Sequence, residues 1–374
     1  MLRNHLFIVI GEEHYNPLGI IRSLGQCGIN PVFIAIKGKS TVSSKSKYVS
    51  CNHFVDSIDE AYNVLMSEYT EQKNKPFVIT SDDDIQSLLD MNYEKLKEHF
   101  ILFNAGSDGQ ITKYMDKKEI LDLAEKHGLK ILKTTVVNKG VIPENIEYPI
   151  ITKSISPNIG GWKADVHICN SAEELKNAYD HILSPQVLLQ KFVEKKNEYC
   201  LDGFSINRGK KMFIPIASTY NYLIRGYYSP YMTVYPFEDE KMKESLNAML
   251  EEIGFEGIFS IEFLIDQDGT YYFSEINFRN STWSYIAAKL GMPLPLLWAE
   301  SMLSGEINSS WYKPVPDNYT AMVEPIDYEK RVEDGRISAA DWLIDFKETD
   351  CPFYLDADDP EPFREMVKNW KKLS

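Results

Sequence analysis

Residues 258–277 constrain this chain more than any other stretch: Ile-Phe-Ser-Ile-Glu-Phe-Leu-Ile-Asp-Gln-Asp-Gly-Thr-Tyr-Tyr-Phe-Ser-Glu-Ile-Asn. Strand formers flank Asp268-Gly269, a dipeptide that favours a two-residue turn with positive φ at both central positions. With that turn Gln267 pairs with Thr270, and counting outward sets Glu262 opposite Glu275 and Ser260 opposite Asn277. Side chains alternate with period two, so these four share one face, while Phe259, Ile261, Phe263 and Ile265 make the other face apolar. Two carboxylates opposed across a ladder repel, and a divalent cation removes that penalty. Hard oxygen ligands on a rigid sheet, with room for phosphate oxygens, describe a magnesium–nucleotide site. A hairpin whose polar face is merely solvated accounts for the two glutamates as well. Asn277 and Arg279, which continue the same line, are harder to explain that way.

Elsewhere the pattern changes once. Over residues 1–110, strands predicted at 6–10, 31–36, 77–80 and 101–104 alternate with helical periodicities. The first helix is predicted from Asn16 as N-cap, with Pro17 in its first turn, to a stop at Gly28; others are predicted around 59–70 and 84–98. Such alternation implies a parallel sheet covered by helices on both faces. Ligands of such sheets sit at the carboxyl ends of strands, and here those ends carry Gly11-Glu12-Glu13 and Ser81-Asp82-Asp83-Asp84. No Gly-x-Gly-x-x-Gly follows the first strand, which weakens a dinucleotide reading. After a helix from Asp116 to His127, closed by Gly128, strand runs dominate at 149–154, 166–169, 187–192, 199–206 and 212–219. A capping box, Ser171 to Glu174, opens a helix to about residue 182, and a further helix at 240–253 stops at Gly254. Helices near 283–290 and 293–304 follow the hairpin, and the tail from 306 onward yields no motif. The fold class is therefore α/β followed by α+β.

Length and charge narrow the function classes. A chain of 374 residues supports two or three domains. Its formal net charge of -15 argues against a nucleic-acid or anionic-membrane partner, since both need a basic surface. The apolar run 6–10 is too short for a signal-peptide core, and no run approaches the length of a membrane span. The five cysteines are scattered without a Cys-x-x-Cys, so neither a disulfide framework nor a zinc site is indicated, and a cytoplasmic location is expected. The histidines show no ligand spacing.

Glu262, followed by Glu275-Ile276-Asn277-Phe278-Arg279, resembles the metal-binding signature of the ATP-grasp superfamily. That group includes D-alanine–D-alanine ligase, biotin carboxylase, carbamoyl phosphate synthetase and the purine-pathway carboxylate–amine ligases. The likeness continues upstream in the same order. Asp116-Lys117, opening a helix, resembles the first nucleotide-contacting lysine segment, and Tyr148-Pro149-Ile150-Ile151-Thr152-Lys153 resembles the strand whose last lysine contacts phosphates. The small-residue loop 154–161, ending in Gly160-Gly161, resembles the lid over the triphosphate. Leu189-Gln190-Lys191-Phe192-Val193-Glu194 resembles the adenine-clasping hinge, and Glu198 stands like the carboxylate that takes the ribose hydroxyls. Two departures stand out. The lid has only two glycines and a proline, so Lys163 is the expected side-chain contact there; Gln190 stands where many members carry glutamate.

The resemblance implies a pre-ATP-grasp, Rossmann-like domain (1–110), a linker helix and lid subdomain (111–192), a central subdomain with the metal hairpin (193–305) and a C-terminal extension (306–374). Together the middle two make a two-lobed ATP-grasp fold. It further implies ATP and two Mg²⁺, with Mn²⁺ able to substitute, held by Glu262, Glu275 and Asn277. Lys117 and Lys153 would neutralise the triphosphate, and Gln190, Lys191, Val193 and Glu198 would hold the nucleoside. Arg279, with Lys163 and Arg225, forms the expected catalytic set, Arg225 clamping a substrate carboxylate. The implied reaction joins a small carboxylate, an amino acid first of all, to an amine through an acyl phosphate, releasing ADP and phosphate. No nucleic acid or membrane partner is expected, and a homodimer is left open. An ATP-grasp small-molecule kinase is the alternative, and a nucleotide-binding scaffold the third reading.

Overall fold

The structure is a computed structural model, and the residues it describes are 2–38, 41–155, 162–224 and 228–373, with Trp162, Lys163 and 371–373 described by backbone alone. The N-terminal part is a five-stranded parallel sheet of β1 (Phe7–Glu12), β2 (Val32–Ile36), β3 (Cys51–Val55), β4 (Phe77–Thr80) and β5 (Ile101–Leu102), in the order β3-β2-β1-β4-β5. The apolar runs 7–10 of β1, 32–36 of β2 and 77–79 of β4 are buried throughout because both faces of the sheet are covered. The edge strand β3 was not predicted: Cys-Asn-His-Phe-Val has no apolar alternation, and β2 alone carries its pairing.

Two helix expectations are corrected. The first helix spans Tyr15–Gly25, so Asn16 lies inside its first turn and His14 is the cap, without a side-chain hydrogen bond. Proline is tolerated throughout the first turn, where amide hydrogens lack helical partners, so Asn16-Pro17 could not fix the starting residue. The helix expected over 84–98 is two, Asp83–Asp90 and Tyr93–Leu96, divided at Met91-Asn92. Asn92 gives its side-chain amide to the Leu88 carbonyl, the kind of local competition that makes asparagine a helix breaker.

Two further sheets follow. β6 (Thr134–Asn138), β7 (Ile150–Lys153), β8 (Ile168–Cys169) and β9 (Gln186–Lys191) form a four-stranded sheet in the order β6-β9-β7-β8. Its helix, Ala172–Tyr179, starts at the predicted capping box: Ser171 Oγ accepts from the Glu174 amide, and the Glu174 carboxylate accepts from that of Asn170. The largest sheet contains β10 (Lys195–Ile206), β11 (Lys211–Tyr220), β12 (Tyr231–Tyr235), β13 (Gly257–Asp266), β14 (Tyr271–Asn277), β15 (Tyr319–Met322) and β16 (Cys351–Pro352), in the order β14-β13-β10-β11-β12-β15-β16. The tail therefore adds strands to this sheet. It is fastened by Arg22, which donates to the Phe353, Tyr354 and Asp359 carbonyls and the Asp359 carboxylate, and by Glu324, which accepts from the amides of Phe353, Tyr354 and Leu355.

The β13–β14 hairpin departs from expectation in two places that cancel. Its loop has three residues, Gln267-Asp268-Gly269, with Asp266 and Thr270 closing it (Asp266 N to Thr270 O, 3.1 Å). Only Gly269 has positive φ (80°) in this loop, and the Asp266 carboxylate accepts from the amides of Asp268 and Thr270. Aspartate at the first turn position supplies those contacts, so the chain takes a type I turn closed by a left-handed glycine. That shifts the ladder by one residue: Phe263 pairs with Phe273 and Ile265 with Tyr271. A β-bulge between Glu262 and Phe263, absorbing Ser274, restores the register, so Glu262 does face Glu275 and Ser260 faces Asn277.

Candidate active site

The polar face of the large sheet is built strand by strand. On β13, Glu262 is flanked by Cys200 of β10 and Glu275 of β14, and Ser260 by Asp202 and Asn277. Directly opposed residues of an antiparallel ladder project to the same side, so this face gathers the two glutamates, Asp202 and Asn277. Asn277 donates to Glu262 (3.3 Å) and accepts from Arg279 Nη2 (3.3 Å).

The carboxylate pair is electrostatically unequal. Burial, then Glu275 and Glu198, push the Glu262 carboxyl well above its usual range. Burial pushes Glu275 up too, but Lys117, Lys153 and Arg279 outweigh it and hold that carboxyl below the usual range. Lys117 Nζ stands 3.6 Å from Glu275, at the start of the helix Lys117–Lys126. That helix begins where predicted, with Asp116 capping the amides of Lys118 and Glu119. Lys153, the last residue of β7, donates to the Gln190 side-chain oxygen (3.0 Å), and burial lowers its ammonium pKa. Arg279 grips Asp83 with both Nε (2.9 Å) and Nη2 (3.0 Å).

Two cavities meet at this cluster. One, of about 910 Å³, lies between the four-stranded and seven-stranded sheets and is walled by Leu132, Ile151, Phe192, Val193, Leu223 and Phe263, with Lys153, Gln190 and Lys191 at its polar side. The other, of about 600 Å³, is polar and aromatic: Tyr15, Asn16, Tyr220, Tyr228, Ser281, Thr282 and Trp283 surround Asn277, Glu275 and Arg279. Glu198, Lys195 and Glu262 line both. Lys195 donates to Glu198. Gln190 spends its carbonyl oxygen on Lys153 and its amide on Thr134 (3.1 Å), so its local partners are already set. Asn16, released from any capping role, accepts from Thr282 across the second cavity.

Lys117, Lys153, Gln190, Lys191, Val193, Glu198, Glu262, Glu275, Asn277 and Arg279 are thus brought to one cleft. Gly160, Gly161, Arg225 and the Lys163 side chain lie outside the described residues. Three acidic residues escaped assignment from the sequence. Asp83 was visible only as part of an acidic strand end. Asp82 beside it is buried, which raises its carboxyl to about 6 despite hydrogen bonds from Ser81 and the Glu12 amide. Asp202 is buried beneath the second cavity, and burial raises it to about 6 while Ser281 (2.5 Å) and Ser284 (2.8 Å) donate to one of its oxygens. The signal for Asp202 was present: a lone acid inside the apolar run 199–206 needs partners. The two serines also accept each other's or neighbouring amides, closing the turn at Ser281–Ser284.

Among the described residues no three His, Cys, Asp or Glu side chains converge as a complete metal cage, and no helix is long and apolar enough to cross a membrane. The oxygen set available is two carboxylates and an amide. That donor set fits Mg²⁺, which keeps waters and takes phosphate oxygens to complete its shell.

Comparison with known proteins agrees with this geometry. Residues 116–300 match the family model described as carbamoyl-phosphate synthase L chain, ATP binding domain. N5-carboxyaminoimidazole ribonucleotide synthase of Staphylococcus aureus (strain COL) is 26% identical over 155 residues, 40% of this chain and 38% of that protein. The chain thus matches about two fifths of the length of the curated relatives. Among solved structures, an L-amino acid ligase from Bacillus licheniformis has TM-score 0.62 at 14% identity, covering 81% of this chain and 77% of that one. The N5-carboxyaminoimidazole synthetase from Staphylococcus aureus complexed with ADP has TM-score 0.62 at 14% identity, over 88% and 85%. At such identities these structures establish the fold alone.

Proposed function

Over residues 116–300 this chain belongs to the ATP-grasp family of the carbamoyl-phosphate synthase L chain ATP-binding domain, and on that footing we propose that it is an ATP-dependent carboxylate–amine ligase. The observation that carries the reading is the opposed pair Glu262 and Glu275, with Asn277, at the junction of an apolar and a polar cavity and ringed by Lys117, Lys153 and Arg279.

The apolar cavity suits an adenosine moiety. Leu132, Ile151, Phe192 and Phe263 offer faces for the base, and Glu198, at the border, suits the ribose hydroxyls. Val193, Lys191 and Gln190 belong to the same wall. Glu262, Glu275 and Asn277 would hold Mg²⁺, Mn²⁺ being an acceptable replacement among hard cations, and the metal would supply charge neutralisation to the phosphates when bound. Lys117 and Lys153, whose charges both act on Glu275, would neutralise the triphosphate; Lys153, with its ammonium pKa lowered by burial, gains most from an arriving anion. Beyond the metal ligands, the polar cavity receives the acid and then the amine. A carboxylate oxygen there attacks the γ-phosphorus, ADP leaves, and the amine displaces phosphate from the acyl phosphate. Arg279, permanently charged and half-buried, would stabilise the anion formed at each step. Lys163 and Arg225 complete the proposed catalytic set, Arg225 taking the substrate carboxylate, and Gly160-Gly161 the proposed lid. The proposed division is 1–110, 111–192, 193–305 and 306–374, with the nucleotide between the second and third parts.

The amino-acid class of substrate is supported by the likeness to a protein named an L-amino acid ligase. An ADP-release screen with Mg-ATP over amino acids, singly and in pairs, with product masses, tests the reading. ADP, phosphate and a condensed product are expected. AMP and pyrophosphate would overturn the acyl-phosphate route, and a stable phosphorylated product formed without an amine would point to a kinase instead.

A further inference from the structure

Arg279 is not held by its own domain alone. Asp83 stands just beyond the carboxyl end of β4, in the N-terminal sheet, and takes the Nε–Nη2 edge of the guanidinium with both oxygens, at 2.9 and 3.0 Å. The backbone repeats the junction one residue on, where the Asn280 amide donates to the Thr80 carbonyl (3.2 Å). Asn277 fixes the same Nη2 from the metal-bearing strand. A guanidinium has five N–H donors in a rigid planar fork. With one edge committed to Asp83, the plane and direction of the remaining edge are set. Arg279 lines the polar cavity, whereas Asp83 does not.

We infer that Asp83 is a positioning residue, which aims the free Nη1 edge of Arg279 at the reacting carboxyl in the polar cavity. The N-terminal sheet is then part of the reaction site, and the segment from 116 to 300 does not complete it. The inference rests on the ligase reading for what Arg279 does, but the clamp itself is a property of the structure. Asp83 is not a stand-in for substrate on this view. Arg279 keeps the pair through the reaction, because the two bonds to Asp83 fix the guanidinium's plane and favour its protonated form.

Three single variants of the full chain and one pair test this: Asp83→Asn, Asp83→Glu and Arg279→Lys, which lacks the fork, and Asp83→Asn combined with Arg279→Lys. Asp83→Asn should lower kcat for ligation by about 10- to 100-fold while KM for ATP stays within about twofold, as expected when a reacting group is misplaced by an ångström or so. Asp83→Glu should recover part of the loss. In the Arg279→Lys background, Asp83→Asn should cost less than about threefold more, since the pair acts as a unit. Equal, multiplicative losses in both backgrounds would overturn the inference. So would an undiminished kcat with a lower KM for the acid, which would make Asp83 an occupant that substrate displaces. An independent readout is the rate at which phenylglyoxal modifies Arg279, followed by mass spectrometry. It should rise about tenfold or more in Asp83→Asn, and an unchanged rate would show that no clamp exists. If the unmodified chain ligates nothing, this rate still judges the clamp and the ligase reading alone fails. Thermal unfolding identifies any variant that does not fold, and Asp83→Asn, closest in shape, then decides.

Discussion

Replacing Asp202 by asparagine should make the protein more stable and less useful. The carboxyl is fully buried under the polar cavity; Ser281 and Ser284 donate to one oxygen, and Ser260, its partner across the ladder, adds a weaker hydrogen bond. Burial raises its pKa from 3.8 to about 6 even after those serine bonds have lowered it. Between those values the folded protein keeps a proton that the unfolded chain releases, so stability falls as pH rises from about 4 to about 6 and is flat above. A shift of that size corresponds to about 3 kcal/mol, a ceiling on what the buried charge costs at neutral pH. Asparagine keeps an oxygen for the two serine hydroxyls and carries no charge, so most of that cost should vanish. Thermal unfolding of both proteins from pH 4.5 to 8 is the assay. Their melting temperatures should nearly coincide at the acid end and separate by roughly a few degrees by pH 7, the variant higher. Ligation should meanwhile weaken, through a higher KM for the amine, because the charge-assisted bonds that orient the Ser281–Trp283 wall are lost. A separation that does not change with pH, or a variant less stable throughout, would refute the reasoning.

Glu275→Gln should abolish ADP release while leaving the circular dichroism spectrum unchanged, because it removes a metal ligand and leaves Lys117 (3.6 Å away) without its partner; a fully active variant would refute the metal assignment. Inserting an alanine after Ser274 adds a residue beyond the one that the bulge absorbs, so Glu275 and Asn277 should slip out of register with Glu262 and Ser260. Mg-ATP affinity, measured by calorimetry, should fall by about 100-fold or more. Arg22→Ala leaves the Asp359 carboxylate buried without its 2.9 Å partner. Breaking such a pair typically costs about 3–5 kcal/mol, and limited proteolysis should then cleave first near residues 350–360.

How much was legible in the residues depends on how far each signal reached. Period-two and helical patterns are local, and so are caps: Ser171 with Glu174, Asp116 and the stop at Gly254 all stand where the sequence placed them. The strands missed were short, edge-lying or both, such as Cys51–Val55, Thr134–Asn138, Tyr319–Met322 and Cys351–Pro352, whose pairing comes from neighbours distant in the chain. The hairpin is instructive because its register was correct for an incomplete reason. A two-residue turn and a plain ladder gave the same pairing at Glu262 as a three-residue loop followed by a bulge, and the loop chemistry of Asp266 and the bulge at Ser274 were not separable by counting.

By itself the sequence determined the alternating strands and helices of the N-terminal part and the facing of Glu262 and Glu275, because these follow from alternation and capping within a few residues; Lys117 and Lys153 came from the family resemblance. Tertiary structure alone decided which distant groups Asp83 and Asp202 meet. Asp83 lies 196 positions from Arg279, and Asp202 lies 79 from Ser281. Only when the N-terminal sheet meets the seven-stranded sheet does Asp83 reach Arg279, and only the closed fold seals Asp202 from water. An orphaned charge in that interior costs several kcal/mol, and so each must find its partner there.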